Sequence, residues 1–334
     1  VPNTRASLFS AWVRNRMEKR HVNCSLDIIS EQAYYSLSQD FHYRGCACNA
    51  CRSNLTENQY SSNSQVNQSQ SNYLTTDSLT SDWFLPHTRN AVEARGETLE
   101  YFIYNDTGYI DFEDGTWGYS VSHKIESMNF IRDSLSRIDE YIDLDFKEAP
   151  DWSNSTFDIY CLSSFVEWEA DTVGMVNAQG YGSRSYWDIL WKNTNRSGSI
   201  DSHDSNTIIH EIGHALGLSH PYEDPHNGKW NSGDTVMSYN VGPTGWNTWF
   251  SAIDLAALIQ CWGVENDNGR GYDGTDSHDV IRGTTSHDII AGYGGNDQLR
   301  ANRGSDTLFG YEGDDEIRAG NGRDCLWGGR GSDE

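Results

Sequence analysis

The chain has 334 residues, with 24 Lys and Arg against 49 Asp and Glu, for a formal net charge of -25. So acidic a surface repels phosphate backbones and anionic lipid, which argues against a nucleic-acid or membrane-surface role. No stretch approaches the roughly 18 apolar residues of a spanning helix, while 36% hydrophobic and 12% aromatic residues suffice for a packed core.

In chain order, composition divides the sequence into four zones. Residues 1–52 hold amphipathic helical stretches around Leu8, Trp12, Val13 and Met17 and from Leu26 to Leu37, followed by Cys46, Cys48 and Cys51. No secretory signal is read in Val1–Met17, and the lack of an initial Met fits a processed or partial sequence. Residues 53–81 are mostly Ser, Asn, Gln and Thr, which predicts a flexible linker because so little apolar surface cannot offset ordering entropy. Seven cysteines cannot all pair, and the most that the pattern allows is one long-range bridge, Cys161 to Cys261.

Zone three, 82–263, reads as mixed α/β. Strands are predicted at Leu99–Tyr104, Leu144–Lys147, Phe157–Leu162, Val173–Ala178 and Tyr186–Trp191. Ile125, Met128, Ile131, Leu135, Ile138 and Tyr141 recur at helical spacing. A helix is predicted from Asp204 to Leu216, capped by Asp204 or Ser205 and ended by Gly217, and a last one over Ser251–Trp262.

The decisive segment is His210-Glu211-Ile-Gly-His214-Ala-Leu-Gly217-Leu-Ser-His220. On a helix, residues i and i+4 share a face, so His210 and His214 aim at one point, with Glu211 beside it. Gly217 permits the bend that brings in His220. Three protein ligands and an open position are the arrangement of a catalytic zinc rather than a closed structural one. His203 and His226 lie nearby in sequence but read as ordinary surface histidines. Downstream, Val236-Met237-Ser238-Tyr239 places a polarisable Met beneath the imidazoles, with a Tyr able to reach the metal or an oxyanion.

Zone four, 264–334, has no Pro or Lys and almost half of the 31 Gly. Asp279, Asp288, Asp297, Asp306, Asp315, Asp324 and Asp333 recur every nine residues, the first six followed two places on by Ile or Leu. This is the GGxGxDxUx calcium repeat, predicting an all-β parallel roll whose carboxylates bind several Ca²⁺. Ser277 and Ser286 replace the Gly of the first two repeats, so those turns are expected to bind weakly.

His210–Pro221 together with Val236–Tyr239 resembles the metzincin metalloproteases and, within them, the serralysins. The likeness spans about residues 84–334 and includes the Ser251–Gln260 helix and the RTX repeats. It implies an α/β metzincin protease domain followed by the roll, one Zn²⁺ held by His210, His214, His220 and a displaceable Tyr239, and Glu211 as general base. It also implies a secreted, extracellular monomer exported by type I secretion, which binds protein substrates in extended form along the edge strand 173–178. For Cys46, Cys48 and Cys51 three readings stand: a surface cluster, which carries most weight; a thiolate switch on the open metal position; and a small metal site. The rival function is a calcium-dependent RTX adhesin with a vestigial protease domain. A metzincin of another branch, astacin-like or matrixin-like, is disfavoured by the repeats.

Overall fold

The computed structural model describes residues 73–180, 182–194, 200–266 and 270–334. The helical stretches expected before Leu37, the cysteine cluster and the linker up to residue 72 lie outside those residues.

The α/β body is built on β1 (Thr98–Tyr104), β4 (Asp145–Glu148), β5 (Phe157–Phe165), β6 (Gly174–Gln179) and β7 (Tyr186–Trp191). They lie in the order β4-β1-β5-β7-β6, all parallel except β6, which runs antiparallel to β7 and forms the edge. The centre of the sheet is covered on both faces. Phe157, Ile159 and Cys161 of β5 enter the main core with α2 (Ile125–Asp139) and α3 (Ser202–Ala215). Tyr160 and Leu162 point the other way, into a second core with Ile110 and Phe112 of the hairpin β2 (Gly108–Asp111) and β3 (Trp117–Ser120). Two-sided burial explains why apolar residues Ile159 to Leu162 of β5 follow one another without alternation.

Predicted strands and helices recur within a few residues of their expected limits, β5 running three residues further, to Phe165. The hairpin and α1 (Phe84–Arg95) are additions. Only Phe84, Thr88 and Ala91 of α1 are buried, too few to draw an apolar stripe in the sequence. Three expectations are corrected. The cap of α3 is Asp201, whose carboxylate accepts from the amides of His203 and Asp204. Cys161 and Cys261 are free thiols, each buried in apolar surroundings that push its pKa up to about 12. The expected linker is not loose to its end. Residues 73–81 form a strap against the body, with Leu79 fully buried, Thr80 bridged to Leu218 and Ser81 N–H donating to the Gly217 carbonyl at 3.0 Å. One buried Leu and a set of main-chain partners offset the ordering cost that composition alone leaves uncompensated.

After α4 (Ala252–Trp262) the chain winds into a roll of two parallel sheets. One holds β8 (Gly271–Thr275), β10 (Ile289–Tyr293), β12 (Thr307–Glu312) and β14 (Cys325–Arg330). The other holds β9 (Val280–Arg282), β11 (Gln298–Arg300) and β13 (Glu316–Arg318). Ile289 pairs with Thr307 and Thr307 with Cys325, so each full coil takes two nine-residue repeats. Ile290, Leu299, Ala301, Leu308 and Ala319 fill the interior. The outer face of the first sheet joins the main core through Ile289, Ala291, Phe309 and Tyr311, and the Tyr311 hydroxyl donates to the Ala256 carbonyl of α4 at 2.7 Å.

Candidate metal centres

Helix α3 is buried from Asp204 to Ala215, an unusual position for a helix carrying His, Glu, Asn and Asp. Several of its polar groups are tied to the surrounding chain. Asp204 accepts from Thr194 N–H and Oγ1–H and from Asn193 Nδ2, tying the first turn to the segment after β7. His210 Nδ1–H donates to the Val236 carbonyl and His214 Nδ1–H to the Leu218 carbonyl, each at 2.8 Å. Those bonds fix both tautomers and leave Nε2 of each ring as a lone-pair donor.

The turn after α3 completes the set. Gly217 has φ +109°, and Leu85 packs where a Cβ would stand, so both the dihedral and the space call for glycine. Leu218 N–H donates to the Gly213 carbonyl, and Ser219 N–H to that of Leu79 in the strap, which delivers His220. Nε2 of His210 and His220 stand 3.2 Å apart, and His210, His214 and His220 offer ligand atoms all within 4.8 Å of one another. Among the described residues this is the one such group of three. Buried His214 Nε2 has no protein partner there. Imidazole nitrogens converging on one point, one without a protein hydrogen bond, fit a borderline divalent ion such as Zn²⁺.

Burial lowers His210 to a pKa of about 4, against a partial upward pull from the Val236 carbonyl. His214 is held well below its ordinary value by burial first and by His210 second. Both rings are therefore neutral at pH 7, the form that ligates metal. Glu211 is raised well above the carboxylate range by burial. It sits against the backbone of Gly174 at the start of β6, where any Cβ would collide with Glu211 Oε1. The catalytic candidate and the edge strand thus share one wall. The Tyr239 ring lies 5.2 Å from that of His210 and 4.9 Å from that of His220. Met237 is fully buried beneath Gly213, whose missing Cβ would stand 2.9 Å from the sulfur. His203 and His226 do not join the group; His203 lies tilted against Trp246, and His226 meets the Tyr239 ring edge-on.

Sequence reading missed Asp254. Fully buried in α4, its carboxylate accepts from Val236 N–H at 3.0 Å, Ser251 N–H at 2.8 Å and the hydroxyls of Thr235 and Ser251. Val236 then offers its carbonyl to His210, so Asp254 bears on the orientation of the His210 ring through one residue. The Ser251-x-x-Asp254 spacing of a capping box was the available signal. Phe84 was also missed; its ring packs 4.5 Å from that of His214.

In the roll, Asp279, Asp288, Asp297, Asp306, Asp315, Asp324 and Asp333 line the loops between the sheets. Oδ1 of Asp297, Asp306, Asp315, Asp324 and Asp333 accepts the amide of the Asp one coil earlier. Oδ2 of Asp297, Asp306 and Asp315 is buried without a protein partner. Burial first, and neighbouring aspartates next, raise these three carboxyls above the usual range. Buried anionic oxygens stacked over one another fit a hard cation.

The comparisons with known proteins agree with that chemistry. The RTX calcium-binding nonapeptide repeat family matches residues 273–308 and 300–334. The chain carries calcium-binding RTX repeats wound as a parallel roll behind an α/β body. Serralysin C of Dickeya chrysanthemi is 36% identical over 98 residues, a match confined to the repeat region. The match takes in 29% of this chain and 18% of that relative's length. A solved structure, the GM1 bound form of the ECX AB5 holotoxin, aligns over 54% of this chain and 86% of its own, at 11% identity and a TM-score of 0.29. A score that low defines no common fold. No helix among the described residues is long and apolar enough to cross a membrane.

Proposed function

We propose that the chain is a secreted zinc endopeptidase of serralysin type, its metzincin-like domain over about 82–263 and its calcium roll over 264–334. The single observation that carries this reading is the convergence of His210, His214 and His220 beside a buried Glu211. Zinc would be held by the three Nε2 atoms, with Tyr239 as a fourth, displaceable ligand. When bound, zinc supplies Lewis-acid polarisation of the scissile carbonyl and acidifies water.

The remaining work falls to residues of this chain. Substrate lies extended along the open edge of β6 and is held by main-chain hydrogen bonds. Glu211 takes a proton from the attacking water and returns it to the leaving amine. Burial raises its pKa, and zinc held by the three histidines would favour its ionised, basic form. The Tyr239 O–H donates to the oxyanion as it develops. Export, the monomeric state and an extracellular protein substrate belong to the same reading, which includes no nucleic-acid partner.

Glu211→Gln tests it. The variant should hold zinc at wild-type stoichiometry, since the three histidines survive, while caseinolysis falls by about 10²–10⁴. A wild-type protein that holds no zinc and cleaves no casein would favour the RTX adhesin instead.

A further inference from the structure

The seven loops of the roll are of two kinds, set by the residue four places before each aspartate. In five loops that residue is left-handed: Tyr293 (φ +68°), Asn302 (+79°), Tyr311 (+73°), Gly320 (+102°) and Gly329 (+104°). In the first two loops it is Thr275 or Thr284, and neither has a positive φ. A β-branched side chain strongly resists the left-handed region, so threonine holds these two loops in another backbone conformation.

That choice changes what faces the carboxylate. Thr275 N–H and Oγ1–H donate to Asp279 Oδ2 at 2.7 and 2.8 Å. Thr284 N–H donates to Asp288 Oδ2 at 2.6 Å, and its hydroxyl lies 2.8 Å from Oδ1 and 3.1 Å from Oδ2. In the left-handed loops closed by Asp297, Asp306 and Asp315, the matching Oδ2 is buried and has no protein hydrogen bond. A calcium ion needs oxygen atoms facing it. The threonine loops present two hydrogens to the carboxylate instead, which satisfies the anion and repels a cation.

We propose that Thr275 and Thr284 seal the first two loops in place of calcium, so that the roll begins with a permanent, cation-independent coil. Calcium binds only from the loop closed by Asp297 onward. The sealed coil leads directly into β10, whose Ile289 and Ala291 lie in the main core, as do Phe309 and Tyr311 of β12. It gives the calcium-dependent coils a preformed edge on which to stack, which removes the costly first step of their folding.

The test uses the full chain, with bound calcium counted after equilibrium dialysis and thermal unfolding followed in calcium and in EGTA. Thr284→Val should leave the calcium count unchanged and lower the melting temperature of the body and first coil equally in both media. Asp306→Asn should lose at least one calcium per chain, with a stability loss seen only in calcium. Hydrogen exchange of the wild type in EGTA should keep the Thr275 and Thr284 amides protected while those of β11–β14 exchange freely. Should Thr284→Val not fold, Thr284→Ser, which keeps the hydroxyl, must behave as wild type in calcium count. Loss of calcium from either threonine variant, or loss of protection at both threonine amides in EGTA, overturns the proposal.

Discussion

The body and the roll bury charged and polar groups by opposite means. In the body, Asp254 has four donors from its own chain, and His210 and His214 each have a carbonyl under Nδ1. In the later coils of the roll, half of each buried carboxylate is satisfied by an amide, and the other half waits on something outside the polypeptide. The frame that holds the triad is therefore closed by its own sequence, with His214 Nε2 left without a protein partner, whereas most of the roll is a sequence written for a cation. Residues 264–334 carry 15 acidic against 7 basic side chains, so the difference is also one of net repulsion.

Calcium removal should expose the contrast most strongly. EGTA, used where zinc is retained, should abolish most of the roll's β signal in far-UV circular dichroism, and added Ca²⁺ should restore it cooperatively. New proteolytic cuts should fall in the later coils and none within 204–220. A body that melts along with the roll would mean that α4 and Tyr311 join the two into one cooperative unit.

Asp254→Ala attacks the frame of the body. It strands Val236 N–H and the Thr235 hydroxyl in a buried site, at about 1–3 kcal/mol for each unsatisfied group. The melting temperature should drop in calcium and EGTA alike, and zinc should dissociate more readily as the His210 ring loses its fixed carbonyl partner. Stability loss with unchanged zinc affinity would show that Asp254 only holds α4 to its neighbour.

Tyr239→Phe should keep zinc and lower kcat by about 10²-fold, within the range for one oxyanion donor, with little change in KM. Steady-state kinetics on a fluorogenic peptide reads this, and an effect confined to KM would reduce Tyr239 to a substrate contact.

The smallest expected effect is an acid response of the calcium-free roll. Asp297, Asp306 and Asp315 have folded-state pKa values above 3.8, so folding binds protons in that range. Their stabilising contribution is full below the unfolded pKa and is lost as pH rises through the elevated folded values. Without calcium, some β signal should therefore return as pH falls towards 4. The body runs the other way. With His210 lowered from 6.5 to about 4, acidification across that window withdraws stability from the metal-free form.

What the sequence disclosed followed its periodicities. The nine-residue aspartate register predicted a parallel roll, whose paired strands then prove to be offset by eighteen residues, and the i, i+4 histidines with Gly217 predicted a converging triad. What stayed hidden was held by long-range main-chain contact. Asp254 acts on Val236 across the turn that carries Met237, and nothing in its local spelling beyond a capping box marks it. The strap was misread because Ser and Thr between residues 73 and 81 look like linker, although Leu79 is buried and its carbonyl takes the Ser219 amide. Asp201 capped α3 in place of Asp204 because Asp204 was needed inside the first turn, to hold Thr194.

The strap also sets a limit on how the chain can be trimmed. The Tyr222 hydroxyl donates to the Tyr73 carbonyl, and Leu79, Thr80 and Ser81 are bonded to the three residues that lead into His220. A processing protease must draw its target into an extended, unpaired form, and from residue 75 onward this backbone is already committed. Maturation that removes the N-terminal residues can stop at Tyr73 and leave the third histidine anchored. A cut seven or eight residues later would release it.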